Sequence, residues 1–157
     1  MYNFWRILSV YFVLFLYVSC ISSSEKFYIE SVDGLWNANE PIRLIVEVPD
    51  SEKSRNITLI IRNNKDYKYR NLSLIVSISQ LDGNYEVVDK LNYVIAKPSG
   101  VWRGMGFGEI KETFGQYKMR YKFPYNAKYE VKIKHLMDAD SLVGIEDIGI
   151  KIETLKS

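Results

Sequence analysis

The sequence predicts an all-β fold, an antiparallel β-sandwich or jelly roll in a single domain, on three observations. The chain is rich in Val, Ile and aromatic residues, with 12 Tyr and 14% aromatic content, and these side chains pack well on a pleated surface. Apolar residues recur at every second position in one short run after another, which is the period of a half-buried strand. No long segment of the body carries the 3.6-residue period of an amphipathic helix. With 157 residues, 47% of them apolar, the chain fits one domain with a full core. No internal repeat suggests a second.

The runs follow in order. Phe27, Ile29 and Ser31 define one side of a short first strand. Ile42, Leu44, Val46 and Val48 alternate with Arg43, Ile45 and Glu47 between Pro41 and Pro49. Ile57, Leu59 and Ile61 form the next set, and Leu72, Leu74, Val76 and Ile78 the one after, opposite Ser73, Ile75, Ser77 and Ser79. Asp82-Gly83-Asn84 reads as a tight reversal. Val87, Asp89, Leu91, Tyr93 and Ile95 alternate more weakly. Strands are expected again from Lys118 to Phe123, at Tyr129, Val131, Ile133 and His135, and at Ile148, Ile150 and Ile152. Gly108 to Thr113 has the composition of a short helical turn, and Leu136 to Leu142 that of a turn leaving a strand. About eight short strands separated by turn signals are the pattern of a two-sheet sandwich.

The first 20 residues have a different character. Arg6 is followed by an apolar stretch of 12 residues, Ile7 to Val18, broken only by Ser9, and then by Ser22, Ser23, Ser24 and Glu25. That length suits the core of a signal peptide and falls short of the roughly 20 residues a membrane-spanning helix needs. The end of the run, Leu16-Tyr17-Val18-Ser19-Cys20, resembles a lipobox, with small Ser19 before the only cysteine and Tyr17 departing from the usual aliphatic residue. The expected organisation is a signal peptide over 1–19, a lipidated Cys20 with a short tether over 20–26, and a β-sandwich over 27–157. The membrane is then a partner through N-terminal acyl chains, including a diacylglycerol, on Cys20.

Charge and composition exclude several functions. Loss of residues 1–19 would remove Arg6 and no acid, leaving 20 basic and 19 acidic residues, so nothing suggests nucleic-acid binding. One Cys and one His rule out an internal disulfide and argue against a structural zinc site. Asp138, Asp140, Glu146 and Asp147 lack the spacing of a calcium loop and read as solvated charge. The segment Lys97 to Glu109, KPSGVWRGMGFGE, has Gly-x-Gly-x-Gly spacing without a following Lys-Ser/Thr, so no nucleotide is expected. Its glycines would permit positive φ and close backbone approach. Its Trp102, Arg103, Met105 and Phe107 are candidates either for interior packing or for a binding surface. Tyr67 and Tyr69, two residues apart in a polar connection, pose the same alternative. No Gly-x-Ser-x-Gly is present, and His135 lies in a strand between lysines with no nucleophile paired to it. No catalytic residue, metal or cofactor is expected, and the chain is not expected to be an enzyme.

Several stretches resemble the gliding motility lipoprotein GldH family of Bacteroidetes. These are Ile61-Arg62-Asn63 with Tyr67 to Leu72, Gly100-Val101-Trp102-Arg103-Gly104 continuing to Ile110, and Leu142 to Gly149, together with the lipobox and Trp36. The resemblance covers nearly the whole chain. It implies an outer-membrane lipoprotein of the gliding and type IX secretion machinery, with envelope or motility proteins as partners and no enzyme activity or cofactor. The tether carries a single acid, Glu25, whereas surface-export signals of such lipoproteins are richer in acids, so a periplasm-facing position is expected. The alternative from the residues is a carbohydrate-binding module stacking sugars on Trp36, Trp102, Tyr67 and Tyr69.

Overall fold

In the computed structural model, which describes residues 24–106 and 108–156, the period-two runs become strands of two packed antiparallel sheets. The strands are β1 (Ser24–Ser31), β2 (Leu35–Asn37), β3 (Ile42–Val48), β4 (Arg55–Asn63), β5 (Asn71–Gln80), β6 (Glu86–Val94), β7 (Lys111–Tyr121), β8 (Ala127–His135), β9 (Ser141–Val143) and β10 (Ile145–Thr154). The first sheet has the order β1-β10-β4-β7 and the second β3-β8-β5-β6, while β2 and β9 pair in a small ribbon of their own. No residue among those described is helical. The all-β sandwich is therefore present, with ten strands where about eight were expected.

The core is built by the alternation. Ile57, Leu59 and Ile61 of β4 and Ile148, Ile150 and Ile152 of β10 face Leu44 and Val46 of β3, Leu72, Leu74, Val76 and Ile78 of β5, and Val131 and Ile133 of β8. Nearly all are fully buried, and each such side chain contributes about 1.5–3 kcal/mol relative to exposure. The β5–β6 reversal forms where Asp82-Gly83-Asn84 places it, with the Gln80 N–H donating to the Tyr85 carbonyl at 2.9 Å.

Three expectations are corrected. First, β1 starts at Ser24, three residues before Phe27, and its inward residue is Tyr28 rather than Phe27 or Ile29. Tyr28 sits directly opposite core residue Ile150, and opposed residues share a face. Phe27 is exposed. Ile29 lies on the outer face opposite Gly149, whose other neighbour is Ile60. Ile60 is buried on this outer face, beside Phe114, so β4 is apolar on both sides.

Second, β7 begins at Lys111 rather than Lys118, and Lys111 to Thr113 are strand rather than a helical turn. Pairing with β4 overrides the local propensity, reinforced by Arg62 Nε donating to Glu112 at 2.6 Å. The apolar period of β7 is hard to read because the register shifts at Ile57 and Arg120 takes φ +51°. Its N–H donates to Asn56 Oδ1 at 3.0 Å. Third, β9 interrupts the connection from Leu136 to Leu142, and β2 carries Trp36. Three-residue strands leave no readable period.

Polar side chains close the sandwich on one edge. Asp89 of β6 accepts from the Tyr117 hydroxyl and pairs with Lys118 Nζ, both at 2.8 Å, and the Tyr93 hydroxyl donates to the Gln116 carbonyl at 2.9 Å. The Lys118 contact first, then the Tyr117 hydroxyl, hold the Asp89 carboxyl below its ordinary value of 3.8. Asp89→Ala strands both partners in a half-buried place and is expected to cost about 1–2 kcal/mol, read as a lower midpoint in urea. The Asp89 contribution exists above pH 3.8 and is lost as pH falls through the lower folded value.

Antiparallel topology sorts the connections onto two ends. The amino terminus of β1, the β3–β4, β5–β6 and β7–β8 turns and the carboxyl terminus lie at one end. The connections leaving β1, β4, β6 and β8 lie at the other. Strands of 7 to 11 residues separate the two ends by about 30 Å.

Candidate functional site

The candidate contact residues converge on the end remote from the amino terminus, but they do not share one environment. Trp36 is 1% exposed. Its Nε1–H donates to the Glu40 carbonyl at 3.0 Å, and its ring meets His135 edge-on at 5.1 Å between centroids. Tyr67 is also buried, its hydroxyl donating to the Asn71 carbonyl at 2.9 Å. These two residues are interior packing rather than contacts, because both their rings and their polar atoms are already used inside the fold. Tyr69 is exposed and stands edge-on to Tyr67 at 5.6 Å, so the two rings meet as their spacing suggested. One supports the other.

Trp102 lies between these environments. It is half-buried, packs against the core and has its ring 6.4 Å from that of Tyr67. The loop that carries it is ordered by backbone bonds: Lys97 N–H donates to Val101 O at 2.8 Å, Arg103 N–H to Ile95 O at 2.8 Å, and Met105 and Glu112 exchange both of theirs. The glycines serve the loop geometry. Gly100 takes φ +83° at the first turn, and a Cβ on Gly104 would meet the Glu112 carbonyl oxygen at 2.7 Å. Lys65 Nζ and Glu109 pair at 2.6 Å, joining the β4–β5 and β6–β7 connections. Arg103 is exposed. Cys20 and Phe107 lie outside the described residues.

Of the most exposed apolar residues of this end, the sequence pointed only to Met105. Met105 is 76% exposed, and Leu35, Val101, Leu136 and Val143 are exposed as well. Leu35 and Val143 are direct partners across the β2–β9 ribbon, forming an apolar pair on its outer side. Eight of the fifteen large exposed apolar side chains among the described residues belong to this one end. A period search could not find them, since all but Val94, the last residue of β6, sit on turns and on strands of three residues.

His135, like Tyr67, is a buried titratable group of this end, 2% exposed. Neither ring nitrogen makes a geometrically sound hydrogen bond among the described residues. Burial pushes its pKa below the ordinary 6.5, with the Trp36 backbone opposing and Lys134 assisting. A lowered folded value means that the unfolded chain binds the proton first, so native stability is expected to fall as pH drops below about 6.5. Thermal melts between pH 7.5 and 5 should show this decline, and His135→Phe should flatten it. No group of three or more His, Cys, Asp or Glu side chains that could hold a metal occurs among the described residues.

A sandwich with a packed core, its first strand starting at one end and loop-borne apolar side chains gathered at the other, defines the class as a single all-β domain. The family comparison gives the particular case: the chain belongs to the GldH lipoprotein family, whose model matches residues 26–152. It is 36% identical over 149 residues to a gliding motility lipoprotein GldH homolog of Christiangramia forsetii, covering 90% of this chain and 91% of the relative. It is also 36% identical over 131 residues to the gliding motility lipoprotein GldH of Flavobacterium johnsoniae, covering 79% of this chain and 80% of that protein.

Proposed function

We propose that this chain is an outer-membrane lipoprotein, facing the periplasm, that serves the gliding motility and type IX secretion machinery as a non-enzymatic docking subunit. Acyl chains on Cys20 hold it to the membrane, and the far end of the sandwich binds another envelope protein. The observation that carries this reading is that eight of the fifteen large exposed apolar side chains among the described residues gather at the end about 30 Å from the start of β1. Apolar clusters of this kind mark protein contacts on soluble domains, with Tyr69, Trp102 and Arg103 of the types enriched at interface centres. The relatives are named as gliding motility lipoproteins rather than as enzymes. A sugar-stacking platform would need Trp36 and Tyr67 on the surface, and both are interior.

The test is a pair of surface substitutions. Leu35→Asp with Val143→Asp changes two exposed side chains and should leave stability within about 0.5 kcal/mol. It is expected to abolish co-purification of the envelope partner from native membranes and to impair gliding or secretion. Val88→Asp, on the outer face of the second sheet, should do neither. Unchanged co-purification in the double variant would refute the docking surface.

A further inference from the structure

The opposite end of the molecule has its own character, and it lies next to the anchor. Cys20 is four residues before Ser24, where β1 begins, so the lipidated atom and the first strand are at most about 14 Å apart along an extended chain. The β3–β4, β5–β6 and β7–β8 turns share this end. Their tips expose Leu81 and Tyr125, with Lys122 and Lys53 at the margin, each opposite an acid: Lys122 with Glu52 at 3.6 Å and Lys53 with Asp50 at 3.4 Å.

Tyr125 is a fixed projection. Its N–H donates to the Tyr129 hydroxyl at 3.1 Å, and that hydroxyl donates to the Tyr125 carbonyl at 3.0 Å. Tyr129 is fully buried, so a core side chain clamps the backbone of a residue that is itself 57% exposed. The ring borders a shallow hollow with Gln80, Asn84 and Tyr85, beside Leu81, whose N–H donates to the Lys128 carbonyl at 3.0 Å. A rigid tyrosine and a leucine rimmed by lysines is the pattern that settles at a headgroup boundary, with apolar bodies toward the chains and polar tips in water.

We propose that this end of the sandwich rests on the phospholipid surface in which the anchor is embedded, with Tyr125 and Leu81 as the contacts. The inference builds on the acylation of Cys20. The short tether supplies a high effective concentration of lipid surface, so contacts too weak to bind free vesicles suffice. The paired acids leave little net charge, so apolar contact dominates and salt should not release it. Standing on this end, the domain holds its far loops away from the bilayer.

The experiment uses the full-length, lipidated protein reconstituted into phosphatidylethanolamine–phosphatidylcholine vesicles, with and without bromine on the acyl chains. Tyr125→Trp adds one indole at an exposed position, and the parent chain supplies the background of Trp36 and Trp102. Bromolipid should quench the added emission, spare the background, and do so equally at low and high salt. Leu81→Asp in the same background should reduce the quenching. Equal emission from both kinds of vesicle, in protein that floats with them, overturns the contact while leaving the anchor intact. Quenching of the parent indoles as strongly as the added one overturns the end-on orientation. Protein that fails to float refutes the acylation and the contact together.

Discussion

Replacing Cys20 with alanine is expected to abolish incorporation of a fatty-acid label and to leave a precursor larger than the wild-type protein. The size of the effect follows from the chemistry of attachment. A single acyl chain binds a bilayer only marginally, because each buried methylene contributes about 0.8 kcal/mol. Three chains on one cysteine would make attachment persistent, and no other residue of the chain supports such chemistry: Cys20 is the single cysteine. The family is a lipoprotein family, which agrees with the Leu16 to Cys20 signal despite Tyr17. Intact mass and metabolic labelling read the outcome directly. Unchanged labelling of Cys20→Ala would remove the anchor from the account.

Trp36→Ala is expected to be the most destabilising single change at the far end. The side chain is buried, donates to the Glu40 carbonyl and packs edge-on against His135. Removing a buried indole costs about 3–5 kcal/mol, and for a domain of this size that lowers the midpoint of thermal unfolding by about 10 °C. The same substitution should loosen the β2–β9 ribbon, since Trp36 pairs with fully buried Leu142. Loss of function in this variant would therefore come with loss of structure, unlike in Leu35→Asp with Val143→Asp. A melt within a few degrees of wild type would show that Trp36 is not part of the core.

The two ends of the molecule were not equally legible in the sequence. Strands β3, β4, β5, β8 and β10 read cleanly because one face of each is buried, and burial writes period-two alternation into the residues. β1 and β7 are edge strands, and there the alternation misleads: Ile29 and Phe114 are apolar on the outer face because Ile60 beside them is covered there. The lipobox reads as a contiguous string and needs no tertiary context. The candidate surface could only be half read. Trp and Tyr in loops serve equally as packing or as contacts, and only burial separates Trp36 and Tyr67 from Tyr69. Leu35 and Val143 carried no signal at all, since an isolated apolar residue in a turn or a three-residue strand is ordinary. Their meaning comes from the topology that gathers them at one end.

The central claim is that this end, and no other part of the domain, meets a partner protein. Photo-activatable side chains introduced in living cells at Met105, Val143, Val88 and Tyr125 test it most directly. The account predicts discrete crosslinks to an envelope protein from Met105 and Val143, and none from Val88 on the sheet face or from Tyr125 at the anchored end. The same protein product from Val88 or Tyr125, or no product from Met105 and Val143 while the variants remain folded and membrane-bound, would contradict it.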